Sequence, residues 1–206
     1  RTVAEDRYQL EGWDWHCCDV AYHAIRRKCR IVCTGGIIEM IPQEQRAITE
    51  MDRIRDQFRR AFEGEAWHGP SVLALLEGVT ATQAAAHPIP GAHSIWELTL
   101  HIAAWESACR RRLQGDPARL SDEEDWRPIY DTSDNAWENT KKYLVDTHRD
   151  LLDAIAQVDE ARLNEPIIVD SSTPFSTIYV TLHGGVQHDL YHAGQIAMLK
   201  KALENL

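Results

Sequence analysis

From about Gln43 onward, apolar residues recur every three or four positions in long stretches, separated by short breaks rich in Gly, Pro and acidic residues. In QEQRAITEMDRIRDQFRRAFEG, Ile48, Met51, Ile54 and Phe58 share one face and charged residues fill the others, the pattern of a surface helix. Gly64 and Gly69-Pro70 interrupt it, and Pro70 suits a kink or a new first turn. SVLALLEGV then resumes the helical pattern, and a short turn, TATQAAA, ends at His87-Pro88-Ile89-Pro90-Gly91. A second long helix runs from near Ser94 to Gly115, with Arg110, Arg111 and Arg112 at its C-terminal end, where the helix dipole favours cations. After a polar, acidic loop over 115–132, Ser133 or Thr132 can cap a third helix carrying Trp137, Tyr143 or Leu144, Leu151 and Ile155. PIIVDSSTPFS reads as a crossover or hairpin-like loop rather than a sheet, and a last helix covers about Thr177 to Ala202. Four long helices with apolar stripes predict an all-α fold, an antiparallel four-helix bundle. Residues 1–42 lack sustained periodicity and are broken by Gly35-Gly36, so they read as a poorly ordered N-terminal extension to a domain at 43–206.

Composition narrows the function classes. The 206 residues are 44% apolar, enough for a sizeable core, and carry a net charge of −10, which argues against a nucleic-acid partner. No apolar run reaches the roughly 18 residues of a membrane span, and the N-terminus lacks the basic start and apolar stretch of a signal peptide. A cytoplasmic protein without a membrane or nucleic-acid partner is expected, its five cysteines present as thiols. Opening on Arg1, the chain reads as a fragment or a processed product, with Met40 or Met51 as a natural start.

The candidate chemistry sits on the second and last helices. His188 and His192 are four apart, so their rings project from one face, a turn apart, on a stripe that continues through Gln195 to Leu199. His101 lies on the otherwise apolar stripe Leu98, His101, Trp105, Ala108. A buried imidazole must satisfy two ring nitrogens or lose roughly 1–3 kcal/mol for each unmet group. One such histidine is an ordinary core residue with a partner. Three can take three corners of a tetrahedron around a divalent metal, with the fourth open. Neutral imidazole suits Zn, Ni, Cu or Fe, so spacing leaves the ion open. Gly184, Gly185 and Gly194 cost about 1 kcal/mol each in helix propensity, which points to close backbone approach or a gap beside the rings.

LTLHIAAWE, QHDLYHAGQIAMLKK and AFEGEAWHGPSVLALLEGVT together resemble the DinB-like (DinB/YfiT) four-helix-bundle superfamily over about 48–204. The resemblance implies a metal-binding triad at His101, His188 and His192, a divalent ion (Zn, Ni or Fe) that varies among members, an up-up-down-down bundle and often a homodimer. It also implies a metal-dependent activity on a small molecule, either transfer involving a low-molecular-weight thiol or hydrolysis.

Other motifs are weaker. HDLYH has Asp189 where a zinc protease carries Glu, so Asp189 reads as solvated or as a partner to a ligand histidine. Glu65-Ala-Trp-His68 is a single ExxH, short of the two that a di-iron bundle needs. Trp67, His68, Trp105 and Gln195 are pocket candidates, with Trp105 in the core and Glu106 at the rim; no residue is singled out as catalytic. His183 falls about 140° around the helix from His188. His87 and His148 read as exposed, and His93 as lying at a helix start. His16, Cys17, Cys18, His23, Cys29 and Cys33 match no common zinc spacing. With no obvious carboxylate base directly at the metal, a thiol nucleophile is favoured over hydrolysis, and with Arg110–Arg112 expected far from the pocket mouth the acidic surface argues against heavily anionic substrates. The competing expectation is a non-catalytic metal- or ligand-binding bundle, a dimeric stress-related module.

Overall fold

The structure is a computed structural model that describes residues 29–34, 37–42, 47–67, 69–116, 118–168 and 174–204. The chain divides into two compact units, 1–47 and 48–206. In the first, β1 (Cys29–Thr34) pairs antiparallel with β2 (Ile37–Pro42), Cys33 opposite Ile38. The sequence reading had no strand here, because the segment is too short for its alternation to stand out.

The second unit is built from α1 (Glu50–Phe62), α2 (Val72–Leu76), α3 (Ala81–Ala85), α4 (Ile95–Leu113), α5 (Asp122–Asp125), α6 (Asp134–Ile155) and α7 (Ile178–Leu203). Side-chain caps fix where helices begin. Thr49 accepts from the Asp52 N–H while Asp52 accepts from the Thr49 N–H, and Ser94 with Glu97 does the same for α4. The first cap sets Glu50 as the first helical residue, so Ile48, expected on the apolar face, precedes the helix and is exposed. Met51, Ile54 and Phe58 are buried as expected, and Leu144 rather than Tyr143 faces the core of α6. Buried indoles find partners: Trp96 Nε1 donates to Thr140 Oγ1 at 2.9 Å, and Trp137 Nε1 donates to the Val79 carbonyl at 2.8 Å.

Pairings along the helices fix their directions. Trp96 meets Thr140 and Glu106 meets His148, so α4 and α6 run parallel. His101 meets His192 while Gly185 lies near Cys109, so α7 runs antiparallel to α4. The up-up-down-down order implied by the resemblance is therefore not what forms. Residues 114–133 are long enough to span the bundle and start α6 at the same end as α4. They also carry α5, which the loop reading missed. Similarly, a two-stranded antiparallel sheet forms where a loop was expected: β3 (Pro166–Ile168) pairs with β4 (Pro174–Thr177), with an irregularity between Ile167 and Ile168. No helix among the described residues is long and apolar enough to cross a membrane.

Candidate metal centre

Helix α4 supplies His101, and α7 supplies His188 and His192 one turn apart. The three Nε2 atoms converge. His188 Nε2 is 3.0 Å from His101 Nε2 and 3.1 Å from His192 Nε2. His101 and His192 are buried and His188 is half-buried. Burial disfavours the charged imidazolium at each: His188 and His192 are lowered to about 4, and His101 is lowered too. All three are neutral at pH 7.

The outer nitrogens decide the tautomers. His101 Nδ1 lies 3.0 Å from both the backbone oxygen and the carboxylate Oδ1 of Asp125. His192 Nδ1 lies 2.6 Å from Gln195 Oε1. These partners only accept, so both Nδ1 atoms carry hydrogen and both Nε2 atoms present lone pairs. Among the described residues, His188 has no Nδ1 partner closer than Asp189 Oδ1 at 4.0 Å. As a neutral ring, His188 can donate a single Nε2 hydrogen, so two converging lone pairs cannot both be satisfied by it. A shared cation satisfies all three. Nitrogens bound to one ion at about 2.0–2.1 Å lie at most about 4.2 Å apart, and both His101 and His192 Nε2 lie within that limit of His188 Nε2. The group can hold a metal ion.

The shell around His101 comes from the segment before α6. Ser121 caps α5 through a reciprocal bond with Glu124, placing Asp125 and Trp126 over α4. Trp105 Nε1 donates to Asp125 Oδ1 at 2.6 Å. Trp126 stacks on His101 with centroids 4.0 Å apart and on the other side stacks on His93 at 3.5 Å. Neither Asp125 nor Trp126 was a candidate in the sequence. The signal available there was the S-x-x-E of Ser121 to Glu124, which announces a helix start inside the loop.

Beside His188 a cavity of about 260 Å³ opens between α1, α4, α7 and β4; its walls include Phe58, Trp105, Cys109 and Val180. Here several expectations are corrected. Glu106, expected at the rim, is buried, because α4 turns it toward α6 and α7, whereas Trp105 is the half-buried member of the pair. His148, expected to be exposed, stacks on Phe62 at 3.7 Å, and its Nδ1 lies 2.6 Å from Glu106 Oε1. Burial lowers His148 to about 3, so it is neutral and donates that hydrogen. Asp189, 1% exposed, is not solvated; it hydrogen-bonds to Glu106, and burial pushes it up to about 8 and raises Glu106 as well. Two carboxyls therefore line the same cavity as His188. Arg112 also lines the cavity, because the last turn of α4 reaches it; its Nε and Nη2 donate to the Ala118 carbonyl at 3.0 and 2.8 Å. Burial raises the Cys109 thiol to about 12.

The remaining candidates lie elsewhere. Trp67 is fully exposed and lines a separate depression with Asp56 and Arg60. His68 lies outside the described residues, as do His16, Cys17, Cys18, His23 and the side chains of Cys29 and Cys33. Gln195, a pocket candidate from the sequence, bonds within its own helix to His192. His183 packs against Tyr179, away from the triad, and His87 is exposed and 3.1 Å from Glu97. Gly185 marks a close approach, since a Cβ there would lie 2.6 Å from Phe58 Cζ; Gly184 and Gly194 have open space.

Among solved structures, a conserved protein from Enterococcus faecalis is similar in fold, with a TM-score of 0.60 at 17% identity over 78% of this chain and 100% of that one. No curated protein matches the chain. The family profile described as the DinB superfamily matches residues 66–196, a span that includes all three clustered histidines and more than half of the sequence. This chain belongs to the DinB superfamily.

Proposed function

We propose that the protein is a metal-dependent enzyme that holds one divalent ion on His101, His188 and His192 and acts on a small molecule admitted beside His188. The supporting observation is that the neutral Nε2 atoms of His101 and His192 lie 3.0 and 3.1 Å from that of His188, both with their hydrogens already committed to Nδ1. A divalent ion with an open position supplies activation of water or of a low-molecular-weight thiol as a nucleophile near neutral pH. The chain's own groups do the rest. Asp125 and Gln195 hold two rings in the tautomer that aims Nε2 inward. Trp126 and Trp105 keep water from His101 and orient Asp125. Glu106 and Asp189 keep a proton between their carboxyls at the cavity wall, where it is available to a reacting group.

Elemental analysis of the purified protein, repeated on His101→Ala, His188→Ala and His192→Ala, tests the site. About one equivalent of divalent metal, lost in each variant while the helical circular dichroism persists, is expected. Metal content unchanged in His188→Ala would overturn the assignment. Turnover is then sought with thiols plus electrophiles and with hydrolysable esters and amides, against the His188→Ala background, to separate the two nucleophiles.

A further inference from the structure

Helix α7 is apolar on its outward side as well as toward the core. Val180, Gly184, Gln187, Tyr191, Gly194 and Met198 recur at alternating steps of four and three, the spacing that keeps residues on one line along a helix paired with another. Val180, Tyr191 and Met198 on this line are 56%, 65% and 60% exposed. A helix that is apolar all round is normally covered on every side, yet this side faces outward. The line is also free of acid, although the chain holds 32 acidic residues and a net charge of −10. The only Asp or Glu in α7 is Asp189, on the buried side, and the line ends at one cation, Lys201. A Cβ at Gly184 or Gly194 would meet nothing within 4 Å, so large residues on the line alternate with gaps that the chain itself leaves empty.

We infer that α7 pairs antiparallel with α7 of a second copy of this chain, about a two-fold axis at Tyr191. Gly184 and Met198 each lie seven residues from Tyr191, about 10 Å along the helix, so this axis sets Met198 of each copy over the Gly184 gap of the other. A flexible thioether suits such a gap. Gly184 and Val180 line the cavity beside His188, so the second copy's Met198 lies across its mouth, and the site is complete only in the dimer. Charge selects the direction. Antiparallel helices hold the two Lys201 side chains about 30 Å apart, beyond the screening length of about 10 Å, whereas parallel ones would set them side by side. Area sets the strength. The line from Val180 to Lys201 is about 32 Å long and a helix about 10–12 Å wide, a footprint of about 350 Å² per copy against the roughly 800 Å² of a standard interface. Ile89 and Ala92, which share a groove with Tyr191 and Met198, add apolar surface along one edge, so the dimer is of micromolar strength rather than obligate. No metal enters this inference, and its failure leaves the three-histidine assignment standing.

Sedimentation velocity on the full chain, from about 1 to 200 μM, is expected to show a reversible dimer. Met198→Glu, at a position exposed in the single chain, is expected to keep the helical circular dichroism and raise the dimer dissociation constant at least roughly tenfold, because pairing would bury an unpaired carboxylate. Tyr130→Glu, at a position 91% exposed and outside α7, is expected to leave that constant unchanged. The register is tested by Gly184→Cys combined with Met198→Cys. On mild oxidation the double variant is expected to form a covalent dimer whose linked peptides join these two positions. Neither single variant is expected to link through its new thiol, since like positions lie about 20 Å apart and a disulfide needs Cα atoms within about 7 Å. A monomer at every concentration, whether the face is bare or residues 1–47 of the same chain cover it, would overturn the inference. So would a dimer indifferent to Met198→Glu, or a double variant that links no more than the single ones.

Discussion

Two adjacent glycines in α7 make a matched pair of stability probes. Replacing either by Ala raises helix propensity by about 1 kcal/mol. At Gly184 nothing opposes that gain, because the new methyl meets open space. At Gly185 the methyl would sit 2.6 Å from Phe58 Cζ and 3.1 Å from Phe58 Cε1. Phe58 is fully buried, so its ring cannot swing into solvent, and a strained repacking of this kind costs about 1–3 kcal/mol. The propensity gain is common to both variants and cancels in their difference. Gly184→Ala is thus expected to be more stable than Gly185→Ala by about 1–3 kcal/mol, with Gly184→Ala above the parent protein and Gly185→Ala at or below it. Urea denaturation followed by circular dichroism measures both, with equal m-values confirming that the unfolded states are alike. A Gly185→Ala protein as stable as Gly184→Ala would show that α1 and α7 are not in the close contact on which the level of His188 depends.

Other outcomes follow from the buried polar groups. Replacing Asp125 by Ala removes one acceptor from His101 Nδ1 and is expected to weaken metal binding by about 10–100-fold, read by competition with a chromogenic chelator. Gln195→Leu is expected to act in the same direction through His192, and in both variants unchanged affinity would count against the tautomer argument. His148 titrates near its ordinary value of 6.5 when unfolded but only near 3 when folded, so between those values the unfolded chain binds the extra proton. Its contribution to stability is complete above the unfolded value and is lost as pH falls toward 3, by about 1.4 kcal/mol per pH unit. His148→Phe, which keeps a ring against Phe62, is expected to flatten the acid limb of the stability curve below pH 6.5; a limb of unchanged slope would refute this.

Much of this was legible because helices advertise themselves. Ser94 before Ile95, Ser133 before Asp134 and Thr177 before Ile178 mark the starts of α4, α6 and α7, and His101, His188 and His192 stand out as polar interruptions of apolar stripes. What stayed hidden depends on contacts between elements. Glu106 and Trp105 are neighbours in sequence, and only the positions of α6 and α7 decide which of them is buried. His148 looked like one more polar residue on a charged helix until its partner on α4 was in place. Asp125 and Trp126 lie in an acidic stretch whose composition suits solvent, and their role emerges only when the chain doubles back over His101.

That doubling back ties topology to chemistry. The passage that lets α4 and α6 point the same way also lays Asp125 and Trp126 across His101. Transplanting the three histidines onto a bundle joined by tight hairpins would therefore carry the ligands without their clasp. One imidazole would be left free to rotate, and the ion would be bound loosely. In this fold, the return passage of the backbone between α4 and α6 is part of the proposed metal site, and shortening it would be an experiment on metal affinity as much as on folding.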